Sequence, residues 1–139
     1  MSEFDALSPD SYHFWATEHV RFADLDMLGH VNNKAYATYY ETARISYMGA
    51  RGLRDGTAVG MALVRLEIDY RREIRFPATP RLGVKLQRLG RSSITLACAI
   101  FDGEVCASTS VGIVVRFDLE ARASKPFTDA ERGVLEADL

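Results

Sequence analysis

From Tyr12 to Phe22 the even positions Tyr12, Phe14, Ala16, Val20 and Phe22 are apolar, while the odd ones include His13, Thr17, His19 and Arg21. This two-residue period predicts a strand, with Trp15 and Glu18 out of step. The alternation breaks at Asp24-Leu25-Asp26-Met27-Leu28-Gly29-His30-Val31-Asn32-Asn33. Gly29 and the paired asparagines read there as a loop feeding a helix, with Asn32 or Asn33 as its N-cap. From Lys34 to about Gly49 the period lengthens, and Tyr36, Tyr39, Tyr40, Ala43 and Tyr47 fall on one helical face. At 1.5 Å per residue this helix is about 25 Å long. Glu41 and Arg44 are spaced to pair along its flank, and Gly49 and Gly52 supply the stop.

After Thr57 the chain reads as antiparallel sheet. Leu66, Ile68 and Tyr70 alternate with Glu67, Asp69 and Arg71; Leu82, Val84 and Leu86 alternate with Gly83, Lys85 and Gln87; Pro77 and Pro80 mark the turn between them. Phe101-Asp102-Gly103-Glu104 carries an Asp-Gly pair suited to a two-residue hairpin turn. Centring the turn there sets Ile100 opposite Val105, Cys98 opposite Ala107, Leu96 opposite Thr109 and Ile94 opposite Val111. One hairpin face is then apolar, and the other carries the small residues Thr95, Ala97, Ala99, Cys106, Ser108 and Ser110. Cys98 and Cys106 fall on opposite faces and are not expected to pair. A short C-terminal helix is expected from Thr128, because Thr128 and Glu131 have capping-box spacing. Strand, long helix and twisted antiparallel sheet make an α+β class in one domain over 1–139, of which 1–10 reads as a loose polar lead.

Composition narrows the function. With 139 residues, 47% of them hydrophobic and 26% charged, the chain has apolar surface enough to fold, and whole-chain disorder is excluded. Its longest apolar stretches, near Val59–Val64 and Val111–Val115, fall far short of the roughly 20 residues of a membrane span. A net charge of −2 and a pI near 5.9 speak against a dedicated nucleic-acid binder. Two cysteines make no disulfide framework, and the opening Met-Ser-Glu-Phe-Asp lacks the basic and apolar regions of a secretion signal, so a cytoplasmic protein is expected. Charge is uneven: Arg65, Arg71, Arg72, Arg75, Arg81, Lys85, Arg88 and Arg91 crowd the middle of the chain. They read either as solvated strand edges or as a local positive field for a phosphorylated ligand.

Phosphate loops, dinucleotide fingerprints and nucleophile elbows are absent from the sequence, and His13, His19 and His30 lack metal-ligand spacing. What remains is the strand-to-helix junction. Its carboxylates and histidine stand just ahead of a helix N-terminus, whose unsatisfied N–H groups and partial positive charge can polarise a carbonyl. Gly29 would let a substrate come close to the backbone. Asp26 could then attack the carbonyl carbon or deprotonate a water, with His30 assisting. The same residues also fit plain roles: the aspartates as caps, His30 as a loop residue, and the tyrosine face as core.

With that junction in hand, the chain resembles the hotdog-fold thioesterases of the 4-hydroxybenzoyl-CoA thioesterase type. The likeness is carried by Val20 through Asn33 with its Asp-x-Asp-x-x-Gly pattern, continues through Tyr36 and Tyr39-Tyr40-Glu41-Thr42-Ala43-Arg44, and returns at Ile68-Asp69-Tyr70, Gly90-Arg91-Ser92-Ser93 and Asp102-Gly103. It runs from about Tyr12 to Lys125. The resemblance implies an antiparallel sheet wrapped around a long central helix and an acyl-CoA thioesterase that needs no cofactor. It implies Asp26 as nucleophile or general base, a structural Asp24, and an oxyanion site at N–H groups near Val31, Asn32 and Asn33. It also implies substrate contacts at Gly29 and Tyr36, a CoA nucleotide lying against Arg88, Arg91 and Ser92, and homodimers or homotetramers with active sites at subunit interfaces. Gly-His-Val-Asn-Asn is similar also to plant acyl-ACP thioesterases, but Leu28 stands where those have an active-site asparagine. The related tol-pal-cluster acyl-CoA thioesterases have a histidine where Asn33 stands. The expected function is therefore acyl-CoA hydrolysis. Acyl-ACP hydrolysis and a non-catalytic acyl-CoA-binding module are its rivals.

Overall fold

The computed structural model describes residues 3–53 and 59–139; Thr57, where the sheet is expected to begin, lies outside them, as do Met1 and Ser2. The elements are β1 (Phe14–Thr17), α1 (Asn33–Ala50), β2 (Val59–Tyr70), β3 (Arg81–Leu89), β4 (Ser93–Asp102), β5 (Val105–Asp118), β6 (Ala123–Ser124) and α2 (Asp129–Glu136). The strands form one antiparallel sheet in the order β1-β3-β4-β5-β2, with the short β6 beside β5. The sheet curls around α1, the hotdog arrangement.

Helix α1 starts as its sequence dictates. Asn32 takes an extended backbone and its side-chain oxygen accepts from Lys34 N–H, capping the first turn. The helix ends at Ala50, and Gly52, at φ +74°, turns the chain out of it. Its tyrosine face is core: Tyr36, Tyr39, Tyr40 and Tyr47 are all buried against the sheet. They meet Leu82, Leu86, Ile94, Leu96 and Ile100, each fully buried and each contributing about 1.5–3 kcal/mol. The phenol hydroxyls tie the helix to four separate parts of the chain. Tyr36 donates to the Arg72 carbonyl, Tyr39 to Asp24 Oδ2, Tyr40 to Ser108 Oγ and Tyr47 to Asp138 Oδ2. Buried tyrosines need such partners.

Four expectations are corrected. The first strand pairs only over Phe14–Thr17, although the chain stays extended to Val20, where Glu18 N–H and Val20 N–H donate to the Pro80 and Ala78 carbonyls. A 3₁₀ turn at Phe22–Asp24 ends it, and Asp24 Oδ2 accepts from Arg21 N–H at its start. The β4–β5 hairpin turns at Gly103-Glu104 rather than Asp102-Gly103, with Asp102 opposite Val105. Gly103 supplies φ +64° at the first central position, as a type II′ turn requires. A bulge between Ile100 and Phe101, with Ala107 the extra residue on β5, shifts the register once more, so Ile100 faces Ser108, Cys98 faces Ser110 and Leu96 faces Gly112. Ser108 and Ser110 therefore lie on the helix side of the sheet. The face of small residues is only partly realised: Ala99 and Phe101 pack on the outer side with Tyr12, Trp15 and Cys106. Finally, Glu41 and Arg44 make no ion pair among the described residues; Glu41 is exposed, whereas Arg44 is buried beneath its helix.

Other expectations stand. Cys98 and Cys106 are free thiols. Helix α2 begins at Thr128 with the capping box complete, Thr128 Oγ1 accepting from Glu131 N–H and Glu131 Oε1 from Thr128 N–H. Glu131 also faces buried Arg116, its Oε1 2.8 Å from Nε but off the line of a hydrogen bond, so this contact is ionic. The N-terminal lead, expected to be loose over 1–10, is by contrast tied down from Asp5: Asp5 N–H donates to Ser11 Oγ, and Tyr12 donates its hydroxyl to the Ala6 carbonyl. No helix among the described residues is long and apolar enough to cross a membrane.

Candidate active site

The junction between β1 and α1 folds into a closed loop. Leu25 and Val31 bridge across its base, Asp26 N–H donates to the His30 carbonyl at 3.1 Å, and Asn32 N–H donates to the Asp24 carbonyl at 2.8 Å. Val31 N–H reaches out of the loop to the Ile74 carbonyl at 2.8 Å, tying it to the segment between β2 and β3. At the tip, Gly29 N–H donates back to the Asp26 carbonyl, and Gly29 stands at φ +83°. A Cβ at Gly29 would meet nothing within 4 Å, so the backbone angle, not crowding, selects glycine there.

The two aspartates are held differently. Asp24 Oδ2 accepts from Arg21 N–H at 2.9 Å and from the Tyr39 hydroxyl at 2.6 Å. Burial and the facing carboxylate raise Tyr39 well above the ordinary tyrosine range, so it donates throughout the accessible pH range. Asp24 is thereby a structural tie between loop and helix. Asp26 is half-buried, and its Oδ1 accepts a single backbone bond from Leu28 N–H at 2.9 Å. Its Oδ2 has no protein partner among the described residues, and Met27 and Leu28 beside it point into solvent. A carboxylate oriented through one oxygen and open at the other suits a base or nucleophile.

His30 is half-buried with Nδ1 3.2 Å from the Val31 carbonyl. A neutral ring donating through Nδ1 leaves Nε2 as an acceptor. Of the three N–H groups put forward as an oxyanion site, Val31's and Asn32's are occupied by carbonyls, whereas Asn33's has no protein partner among the described residues. Asn33 is the first residue of an 18-residue helix, where backbone donors concentrate positive charge. Tyr36, one turn on, is buried, edge-on to Tyr70, and bonded to the Arg72 carbonyl; burial raises its hydroxyl above the ordinary range. A cavity of about 330 Å³ opens beside the helix start between Asp24, Asn32, Lys34 and Thr38, but Asp26 is not among its walls.

Arg88, Arg91 and Ser92 are not brought to this loop within one chain. They sit at the β3–β4 turn, whereas the junction runs beside the opposite, Pro80 end of β3. Arg88 and Arg91 are exposed and make no ion pair among the described residues; the Ser92 carbonyl accepts from Arg116 N–H. Arg71 and Arg72, also exposed, follow the end of β2 close to the junction. Phe22 and Phe76, edge-on at 6.0 Å, add an exposed apolar lip beside the loop. Sequence reasoning missed Tyr39 and the Ile74 carbonyl as supports of the loop, because no local spacing signals partners so far along the chain. Among the described residues no group of three His, Cys, Asp or Glu side chains could hold a metal ion.

This arrangement, an open carboxylate in the loop that leads into the central helix of a hotdog fold, has a family. Residues 20–135 match the model of the Thioesterase-like superfamily, and the chain belongs to that superfamily. By class the protein is a thioester hydrolase. It is 31% identical over 128 residues to the Bacillus subtilis protein YsmA, covering 90% of this chain and 86% of that one. Among solved structures it resembles the PA5185 protein of Pseudomonas aeruginosa, with TM-score 0.85, 28% identity and 93% of each chain covered. It also resembles a Thermus thermophilus thioesterase solved with coenzyme A and zinc, with TM-score 0.77, 33% identity and 88% and 91% of the two chains covered.

Proposed function

We propose that the protein hydrolyses acyl-CoA thioesters, with Asp26 as nucleophile or general base. The observation that carries this reading is the Asp26 carboxylate, oriented by Leu28 N–H through Oδ1 and open at Oδ2, in the loop that leads into α1, whose first N–H, at Asn33, has no protein partner among the described residues. In one course Asp26 takes a proton from water, whose oxygen adds to the thioester carbon. In the other Oδ2 itself adds, and water cleaves the resulting anhydride. Either way negative charge gathers on the carbonyl oxygen, where the helix N-terminus stabilises it. The C–S bond then breaks, and the CoA thiolate leaves and takes up the proton released by water. His30, through Nε2, would assist by orienting the water.

The coenzyme A bound to the Thermus relative supports CoA as the carrier, and the Asp-x-Asp-x-x-Gly run supports the 4-hydroxybenzoyl-CoA thioesterase type. Gly29 and Tyr36 would border the acyl group. Because Arg88, Arg91 and Ser92 lie at the far end of the sheet from Asp26, we assign them to the CoA nucleotide bound at a second subunit's site, in a homodimer or a homotetramer built from such dimers. The two free thiols support a cytoplasmic location. Exposed Arg71 and Arg72 beside the junction suit an acidic acyl carrier protein as well as phosphates, so acyl-ACP is the second reading.

The test is thiol release from short, long and aromatic acyl-CoAs and from acyl-ACP, with wild type and Asp26→Asn side by side. Turnover of a CoA ester that drops on the order of 10²–10⁴-fold in the variant is the expected result. Turnover of acyl-ACP alone would move the carrier, and binding without turnover would leave a non-catalytic module.

A further inference from the structure

Strand β1 covers only part of β3. It pairs over Arg81–Val84, so beyond Val84 that edge of β3 has no strand beside it among the described residues. The end of α2 and the segment Ala137–Leu139 pack into the notch instead. They leave a cavity of about 320 Å³, the size of a small-ligand site. It lies at the C-terminal end of α1, whose 18 residues, rising roughly 1.5 Å each, separate it from the loop of Asp26.

The notch already holds one carboxylate. Asp138 Oδ2 accepts from Arg51 Nε and from the Tyr47 hydroxyl, both at 2.6 Å, and Oδ1 accepts from Arg51 NH2 at 3.3 Å. This is the fork in which a guanidinium recognises a carboxylate. Arg51 is also held without Asp138, its guanidinium carbon 5.0 Å from the Tyr47 ring centroid and 5.5 Å from that of Phe14. Lys85 adds a second cation: its Nζ donates to the Asp138 carbonyl at 2.8 Å and makes no ion pair among the described residues. Phe14, Val84 and Leu86 give the cavity apolar walls. Asp138 follows α2 by two residues, so its side chain can leave these donors while Leu135 stays buried.

We infer that this notch is a binding site for a small monocarboxylate with an apolar body. The ligand's carboxylate takes the place of Asp138 on Arg51 and Tyr47, beside Lys85, and its body lies against Phe14, Val84 and Leu86. Asp138 is then the chain's own occupant of the site. A group tethered this closely competes with an effective concentration in the millimolar range. A free acid therefore displaces it at comparable concentrations, and more readily once Asp138 is removed. Thioester hydrolysis releases acids of this class, so the enzyme's product belongs among the ligands, bound at the end of α1 away from Asp26. The inference needs only the hydrolase class and no particular role for Asp26.

Benzoate is the probe, followed by titration calorimetry and by its effect on Tm, neither of which uses turnover. Asp138→Ala is expected to bind benzoate on the order of tenfold more tightly than wild type and to regain with it the thermal stability lost on substitution. Benzamide, uncharged and of nearly the same shape, should do neither. Adding Arg51→Gln to Asp138→Ala is expected to weaken benzoate about tenfold or more. Should that double variant not fold by circular dichroism, Tyr47→Phe in the same background, which keeps the ring, is expected to weaken it about fivefold. Adding Asp26→Asn instead should leave the affinity unchanged, since the probe does not sit at the active site. Three results would each overturn the site: an Asp138→Ala protein whose Tm ignores benzoate, binding that is lost with Asp26→Asn but indifferent to Arg51→Gln and Tyr47→Phe, or a wild type that takes up no benzoate at about a hundredfold the Kd of Asp138→Ala.

Discussion

Replacing Tyr39 by Phe separates the aspartate that holds the loop from the one that reacts. Tyr39 is 0% exposed and its hydroxyl lies 2.6 Å from Asp24 Oδ2. Phenylalanine keeps the ring, so no cavity opens, and the loss is one hydrogen bond to a carboxylate, about 1.5–3 kcal/mol. Asp24 is only half-buried and still accepts from Arg21 N–H, so water can take up the freed lone pair and the lower end, about 1.5 kcal/mol, applies. For a domain of this size that is a fall in Tm of roughly 4 °C. The catalytic loop should hardly move, because its base is closed by Asn32 N–H on the Asp24 carbonyl and Val31 N–H on the Ile74 carbonyl, both at 2.8 Å. We therefore expect kcat to fall by less than about tenfold, against the far larger loss in Asp26→Asn. Thermal unfolding followed by circular dichroism and thiol release on the preferred ester measure the two quantities. If Tyr39→Phe matched wild type in Tm but lost activity as completely as Asp26→Asn, the assignment of Asp24 to structure and Asp26 to chemistry would be wrong.

Three further outcomes are expected. Gly83→Ala would place a Cβ 2.8 Å from Tyr12 Cγ and 2.9 Å from Tyr12 Cβ, at the root of a ring that cannot swing aside. A loss of about 2 kcal/mol in urea unfolding is expected, and an unchanged midpoint would refute the contact. Asp138→Ala removes the carboxylate held by Arg51 and Tyr47; burial pushes that carboxyl up, but these partners outweigh it and hold it below the usual carboxylate range. Its stabilisation, about 1–2 kcal/mol after allowing for partial exposure, is fully present above pH ~4 and lost as pH falls through the lowered folded value. The Tm gap between wild type and variant should close in acid, and a constant gap would exclude the ion pair as its source. Burial pushes the Cys98 thiol up to about 12, so alkylation of native protein should reach half-buried Cys106 first and Cys98 only on unfolding. Mapping by mass spectrometry checks this, and equal native labelling would contradict the packing.

What was legible in the sequence is what local spacing encodes. Helix α1 could be read from Tyr36, Tyr39, Tyr40, Ala43 and Tyr47, and α2 from Thr128 and Glu131, because a helix declares itself within a few residues. The loop at Asp26 could be read from Gly29 and the asparagines for the same reason. The β4–β5 register could not, since Asp102-Gly103 fits a turn centred on either side of Gly103 and the bulge between Ile100 and Phe101 leaves no mark on the alternation. Nor could the state of the helix N–H groups, which depends on a carbonyl at Ile74, over forty residues downstream of Val31. Arg44 was misread because spacing alone pairs it with Glu41, whereas Gly112, on a distant strand, opens the space that takes it in.

The four buried tyrosine hydroxyls bear on the order in which the chain can fold. Their partners lie 36, 15, 68 and 91 residues from them in sequence. During synthesis α1 emerges well before Ser108 and much longer before Asp138. Through that interval two of its phenols have no protein acceptor and its apolar stripe has no sheet to cover it. Docking of the helix must therefore be a late, long-range event, and the nascent chain depends on delaying contact with its neighbours until β5 has arrived.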